Sequence, residues 1–241
     1  MNKNGAANVI QVITSYPARM AVYGGLVLLV FQGIYLLLQR FEAAWLVAEN
    51  GPLELAQVAC LVLAAPVIAL AAKWTPVGRA VLVAAAAATI YAAARESDQW
   101  FESVFFEDAY KVLVGLPAAL LVMIAAYRDR ERIIFETMHI ARYPGATMFT
   151  IGGIYLCFFC QMFDRPLFWI DSGSTAGVGV QKPLVEECSE LFAYLLIAFS
   201  SVEAAISAFE DRAKLNRAKE VTNSGIPRNS SDSGDGLRTA A

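Results

Sequence analysis

Six apolar runs, each close to the length of a bilayer-crossing helix, constrain this chain more than any other feature. They lie at 20–38, 52–72, 77–94, 110–127, 146–163 and 184–206, and charged residues are nearly absent from their interiors. A helix rises about 1.5 Å per residue, so about 20 mostly apolar residues cross a hydrocarbon core of about 30 Å. Backbone N–H and C=O groups find no water there, which leaves the helix as the spanning form for such runs. An outer-membrane barrel would alternate apolar and polar residues in shorter segments, and no stretch here does so. Composition agrees: 57% of residues are hydrophobic and only 17% charged, against about a quarter charged in soluble domains. The expected fold is therefore all-α, a polytopic membrane helix bundle with about six transmembrane helices. Residues 1–19 form a cytoplasmic N-terminal segment, 20–206 the six-span domain, and 207–241 a cytoplasmic extension.

Orientation follows from the lysines and arginines, which are retained on the cytoplasmic side. With the N-terminus inside, 14 of the 19 basic residues fall in inner segments, among them Arg128, Arg130 and Arg132 beside the fourth run. Both termini are then expected in the cytoplasm, in a membrane of the bacterial inner type. Residues 1–19 are polar and contain Pro17; they do not resemble a secretory signal, so the first span is expected to stay as an uncleaved anchor. The sixth helix is expected to continue over 207–219. The Ser- and Gly-rich stretch beyond it has little to bury and is expected to be disordered. No basic stripe interleaved with aromatics is present, which sets nucleic-acid binding aside.

The acids distribute differently. In the same topology 13 of 22 lie outside, against five basic residues. Several sit close to the spans or within them. Ala80 to Ala94 gives only 15 uncharged residues, so a third helix that crosses must draw Arg95 and Glu96 into the outer leaflet. The fourth must likewise carry Asp108 and Lys111. Glu190 lies seven residues past Pro183, roughly 10 Å along a helix axis, and Glu186, Glu190 and Tyr194 share one face. In the second run Glu54 and Gln57 make a comparable polar patch. An ionised side chain in a bilayer costs on the order of 3 kcal/mol, so such groups face one another, a wet cavity or a cation.

Glu54, Glu96, Asp98 and Glu190 are therefore expected to converge in an outward-facing pocket, with Arg95 and Lys111 as counter-charges and Trp100 and Tyr194 as walls. In an enzyme, Glu96, Asp98 and Glu190 would be catalytic, and Arg95, Trp100, Lys111 and Tyr194 would bind substrate. Carboxylates without a nearby histidine suit hard cations, so Glu54, Glu96, Glu186 and Glu190 are candidate ligands for Mg²⁺, Ca²⁺ or Mn²⁺. Such an ion would grip a lipid phosphate or activate a water, which points to an enzyme acting on a membrane lipid or lipid-linked phosphate. The alternatives are a small transporter or cation-coupled permease using the same acids, and a non-catalytic assembly protein whose acids only fix helix packing. Membrane lipids are the expected partners, and homo-oligomerisation is left open. At helix N-termini, acids such as Glu54, Glu107, Asp108 and Glu186 also have a plainer role, meeting the positive end of the helix dipole.

Cys157 and Cys160 form a C-x-x-C near the outer end of the fifth run, with Cys188 and Cys60 in the same leaflet. A thiol oxidoreductase is a further alternative; the plainer reading is that buried cysteine packs as a small apolar residue. His139, the only histidine, stands alone in a cytoplasmic loop, which excludes the usual histidine-ligated zinc site. The Gly-rich loop after Asp171 lacks the Gly-Lys-Ser/Thr ending of a phosphate loop, and no G-x-S-x-G is present. Gly24-Gly25 and Gly152-Gly153 are expected to let helices approach closely. Pro66 and Pro117 are expected to kink their helices.

Overall fold

A computed structural model describes residues 15–164 and 178–223. The expected loop after Asp171 and the tail beyond 223 lie outside them. Every regular element among the described residues is helical. The first long helix, α1, covers Tyr16–Leu38 and leads through a short turn, α2 (Ala43–Leu46), into α3 (Pro52–Trp74). Then come α4 (Arg79–Arg95) and the short α5 (Asp98–Val104). A π-helical turn, Lys111–Gly115, opens α6 (Leu116–Arg128), and α7 (Ile133–Ile140) follows it. Helix α8 (Pro144–Ile154) passes through a second π-helical segment, Tyr155–Cys160, into α9 (Gln161–Asp164). The last helix, α10, runs over Val178–Asn223.

Five helices are long and apolar enough to cross a membrane, and a sixth span results if α4 and α5 are taken together. That pair is bent by 67°, so the third span differs from the straight helix expected at 77–94. Gly78 takes a left-handed φ of 84° just before the helix, whose 17 residues reach only about 25 Å. The chain then turns sharply where the charged Arg95-Glu96 pair begins.

The second correction concerns α10. Its 46 residues begin at Val178, so Pro183 lies inside the helix and no acid occupies the first turn. Glu186 therefore does not meet a helix N-terminus. Pro52, by contrast, does open α3, with Glu54 in its first turn. At about 69 Å, α10 is more than twice the bilayer core. The part beyond residue 206 carries Arg212, Lys214, Arg217 and Lys219 and extends past the apolar zone, as expected.

Helix α10 is the spine. It packs along α3 and α8, while α4 joins α3 to α6 and α7. One apolar cluster at the basic end joins Ile68, Leu82, Ile140 and Ala208. A second, midway, centres on Leu61, Ala93 and Tyr194. A third packs Ile34, Leu46 and Leu53 on Leu191 and Leu195. The outer faces are strongly apolar: Leu28, Leu29 and Leu63 are each about 70% exposed, a surface suited to lipid rather than water.

Close packing falls where small residues permit it. A Cβ at Gly145 would stand 2.6 Å from the Ser200 carbonyl oxygen, and one at Gly152 3.0 Å from that of Ala193. These two glycines seat α8 on α10. Gly24, Gly25 and Gly153 have nothing within 4 Å of such a Cβ, so the expectation holds for Gly152 and fails for the other three. Helix α3 runs unbroken through Pro66. Before Pro117 the helix widens into the π turn, because proline offers no N–H to Leu113 and its ring crowds that carbonyl.

Candidate functional site

The acidic ends of α3, α4 and α10 meet. Glu96 closes α4 at the bend, and the Tyr194 hydroxyl donates to its Oε1 at 2.7 Å. Arg95 places Nε 3.5 Å from Glu96 Oε1 and Nη2 3.8 Å from Glu190 Oε1. Both carboxylate side chains are only 9% exposed, whereas that of Arg95 is 44% exposed. The structure thus brings together Arg95, Glu96, Glu190 and Tyr194 as the sequence implied. Tyr194 is wholly buried, and its spacing from Glu190 puts both on the face of α10 that looks toward α4.

On the α3 side, Gln57 is also fully buried. Its side-chain amide donates to the Glu187 carbonyl at 3.0 Å and to Glu187 Oε2 at 2.8 Å. Those two bonds fix which way the amide points. They leave Gln57 Oε1 buried with no hydrogen-bond donor among the described residues. Glu187 is half-buried and joins the cluster, a residue that the α10 face of Glu186, Glu190 and Tyr194 had left aside.

Other expected members stand apart. Glu54 accepts the backbone N–H of Asn50 at 2.6 Å, closing the turn before α3, although its charge still reaches Glu96. Asp98 accepts the N–H of Gln99 at 2.6 Å in the first turn of α5, and its charge also acts on Glu96. Lys111 is 2.7 Å from Asp108, so its charge is taken up there and not by the buried acids. Trp100 is exposed and packs edge-on against Phe101 and Phe105, because the 67° bend carries α5 away from the bundle axis. Asn50 donates to Gln99, which donates to Glu49 at 2.6 Å, tying the α2–α3 turn to α5.

A divalent ion needs several donors aimed at one point. Among the described residues no three of His, Cys, Asp and Glu are grouped closely enough to hold one. Glu54, Glu96, Glu186 and Glu190 are divided between the turn, the bend and the α10 face. The four cysteines are free thiols. Cys157 is exposed and Cys160 buried, since the π-helical register between them turns the two thiols into different surroundings.

A second buried acid lies toward the other end. Glu203 is fully buried and takes Arg19 Nε at 2.6 Å, Arg19 Nη2 at 2.8 Å and the Tyr23 hydroxyl at 2.9 Å. The rule that selects Glu190, an acid inside an apolar run, selects Glu203 equally. His139 is not isolated either: its Nε2 lies 2.9 Å from Asp211 Oδ2, which also accepts the Tyr143 hydroxyl at 2.8 Å.

Comparison with protein-family models, curated proteins and solved structures finds no match for this chain. The site must be judged on its own chemistry.

Proposed function

We propose that this protein is a small multi-pass permease in which Glu190 and Glu96 take up a proton or small cation from the acidic side. One observation carries the reading. Glu190 is more than nine-tenths buried, receives no hydrogen bond among the described residues, and has Arg95 only at 3.8 Å. A buried carboxylate so poorly compensated is neutralised by a proton or by a cation. Glu203 shows the contrast, with three good donors and no work left to do.

The chemistry follows from the arrangement. Two buried carboxyls, Glu96 and Glu190, share one guanidinium, while a third, Glu187, is held by Gln57. Arg95 is within normal hydrogen-bond reach of neither Glu190 nor Glu96, and it is well exposed. An incoming cation or proton takes its place beside Glu190 and frees it toward the surface. Tyr194 holds Glu96 in place meanwhile. The basic end faces the cytoplasm of a bacterial-type inner membrane on this reading, with both termini on that side.

The test is proton flux into liposomes containing the purified protein, followed with a trapped pH dye under an imposed potential. Wild type should carry protons, and Glu190→Gln should lose that flux while remaining folded. Equal flux in both would sink the proposal.

A further inference from the structure

At the basic end, a cavity of about 440 Å³ opens between α4, α6 and α7. Arg79, Arg128 and Arg132 stand around it, with Asp129 and Glu136 between them. Its apolar wall is built from Val83, Leu121 and Ile124 along the facing sides of α4 and α6. The three guanidiniums are exposed and make no ion pair or side-chain hydrogen bond among the described residues. Glu136 Oε2 is buried and has no donor among the described residues, although the backbone N–H of Gly78 bonds to this carboxylate.

These features ask for different things in one place. Three unpaired arginines suit a phosphodiester. An orphaned carboxylate oxygen flanked by Asp129 suits a hydrogen-bonding cation. The apolar wall, running from the basic end into the spanning region, suits an acyl chain. A plain anion satisfies the first and leaves Glu136 facing like charge.

We propose that this cavity binds an aminophospholipid: phosphate on Arg79, Arg128 and Arg132, primary ammonium on Glu136, and an acyl chain along Val83, Leu121 and Ile124. Basic residues beside a membrane attract any anionic lipid. The carboxylate separates this site from that general attraction, because a primary ammonium donates to it and a quaternary one does not.

Native mass spectrometry of the full chain in detergent, titrated with dioleoyl lipids, tests the idea. Phosphatidylethanolamine should bind about tenfold more tightly than phosphatidylcholine, the gain expected of one charge-assisted hydrogen bond. Glu136→Gln should erase that preference, and Glu131→Gln, the same charge change at an exposed neighbour, should keep it. Replacing Arg128 and Arg132 by Gln should weaken both lipids. Phosphoethanolamine without chains should fail to displace the bound lipid. Equal binding of the two lipids by wild type would overturn the proposal, and that comparison needs no variant to fold. Tightest binding of phosphatidylglycerol, unchanged by Glu136→Gln, would reduce the site to plain anion attraction. Displacement by phosphoethanolamine alone would make it a site for a soluble phosphate.

Discussion

Arg19 holds both carboxylate oxygens of Glu203, at 2.6 and 2.8 Å, and so fastens α1 to α10. Only 6% of the spanning window of α1 is fully buried; besides this pair it is held by Ile34, Val27 and Phe31 in the cluster with Leu191 and Leu195, and by Tyr23 stacked on Phe199 at 4.6 Å. Removing one partner of a buried ion pair leaves the other charge uncompensated, which costs about 3–5 kcal/mol. Arg19→Met should therefore lower the unfolding midpoint in detergent steeply. Arg19→Met with Glu203→Met should recover most of the loss, because no charge is stranded. A single variant as stable as wild type would show that the pair contributes nothing.

Gly145 and Gly152 set how near α8 approaches α10. At Gly145 the added methyl would meet backbone, 2.6 Å from the Ser200 oxygen and 2.9 Å from the Ala204 nitrogen, and backbone cannot swing aside. Gly145→Ala should cost about 1–3 kcal/mol, the usual range for overpacking. At Gly24, where a Cβ meets nothing within 4 Å, the same change should be neutral or slightly stabilising through helix propensity. Unfolding in detergent, run on both variants together, separates packing from propensity.

The sequence showed these helices readily because lipid demands long uncharged runs, a signal that survives without any knowledge of neighbours. Glu96 stood out for the same reason, because the uncharged run beside it is too short to cross, and Glu190 because it lies seven residues past Pro183 in an apolar run. The sequence could not show partners. Whether Lys111 serves Glu190 or Asp108 depends on where the chain goes after α4, and the 67° bend between α4 and α5 is not something a hydropathy reading registers. Gly24-Gly25 and Gly145 look alike in sequence; only the approach of Ser200 tells them apart. Glu203 is as legible as Glu190, an acid inside an apolar run, but its partner Arg19 lies 184 residues away in sequence.

Asp211 ties the extension of α10 to α7 and to the start of α8. Burial pushes its carboxyl upward, but hydrogen bonds from Tyr143, His139 and Lys214 outweigh burial and hold it below the ordinary value of 3.8. A depressed carboxyl contributes stability that is present above its unfolded value and is lost as pH falls through the folded one. Unfolding midpoints should therefore drop on acidification below about 4, and Asp211→Asn should be less stable at neutral pH with a shallower acid limb. Parallel limbs for the two proteins would remove Asp211 from the account.

Glu190 and Tyr194, one turn apart on α10, should respond in opposite directions to loss of their polar groups. Glu190 is buried with a single distant partner among the described residues, so Glu190→Gln removes an uncompensated charge and keeps the shape. Its unfolding midpoint should stay level or rise, as expected where strain is kept for function. Tyr194 donates its only hydroxyl hydrogen to Glu96 at 2.7 Å from a fully buried position. Tyr194→Phe therefore strips a buried carboxylate of a good donor, and a loss of about 1–3 kcal/mol follows. Both variants should impair proton flux, the first while stable and the second while weakened. If Glu190→Gln instead unfolds as readily as Tyr194→Phe, then Glu190 is a packing residue, and the assembly reading replaces transport.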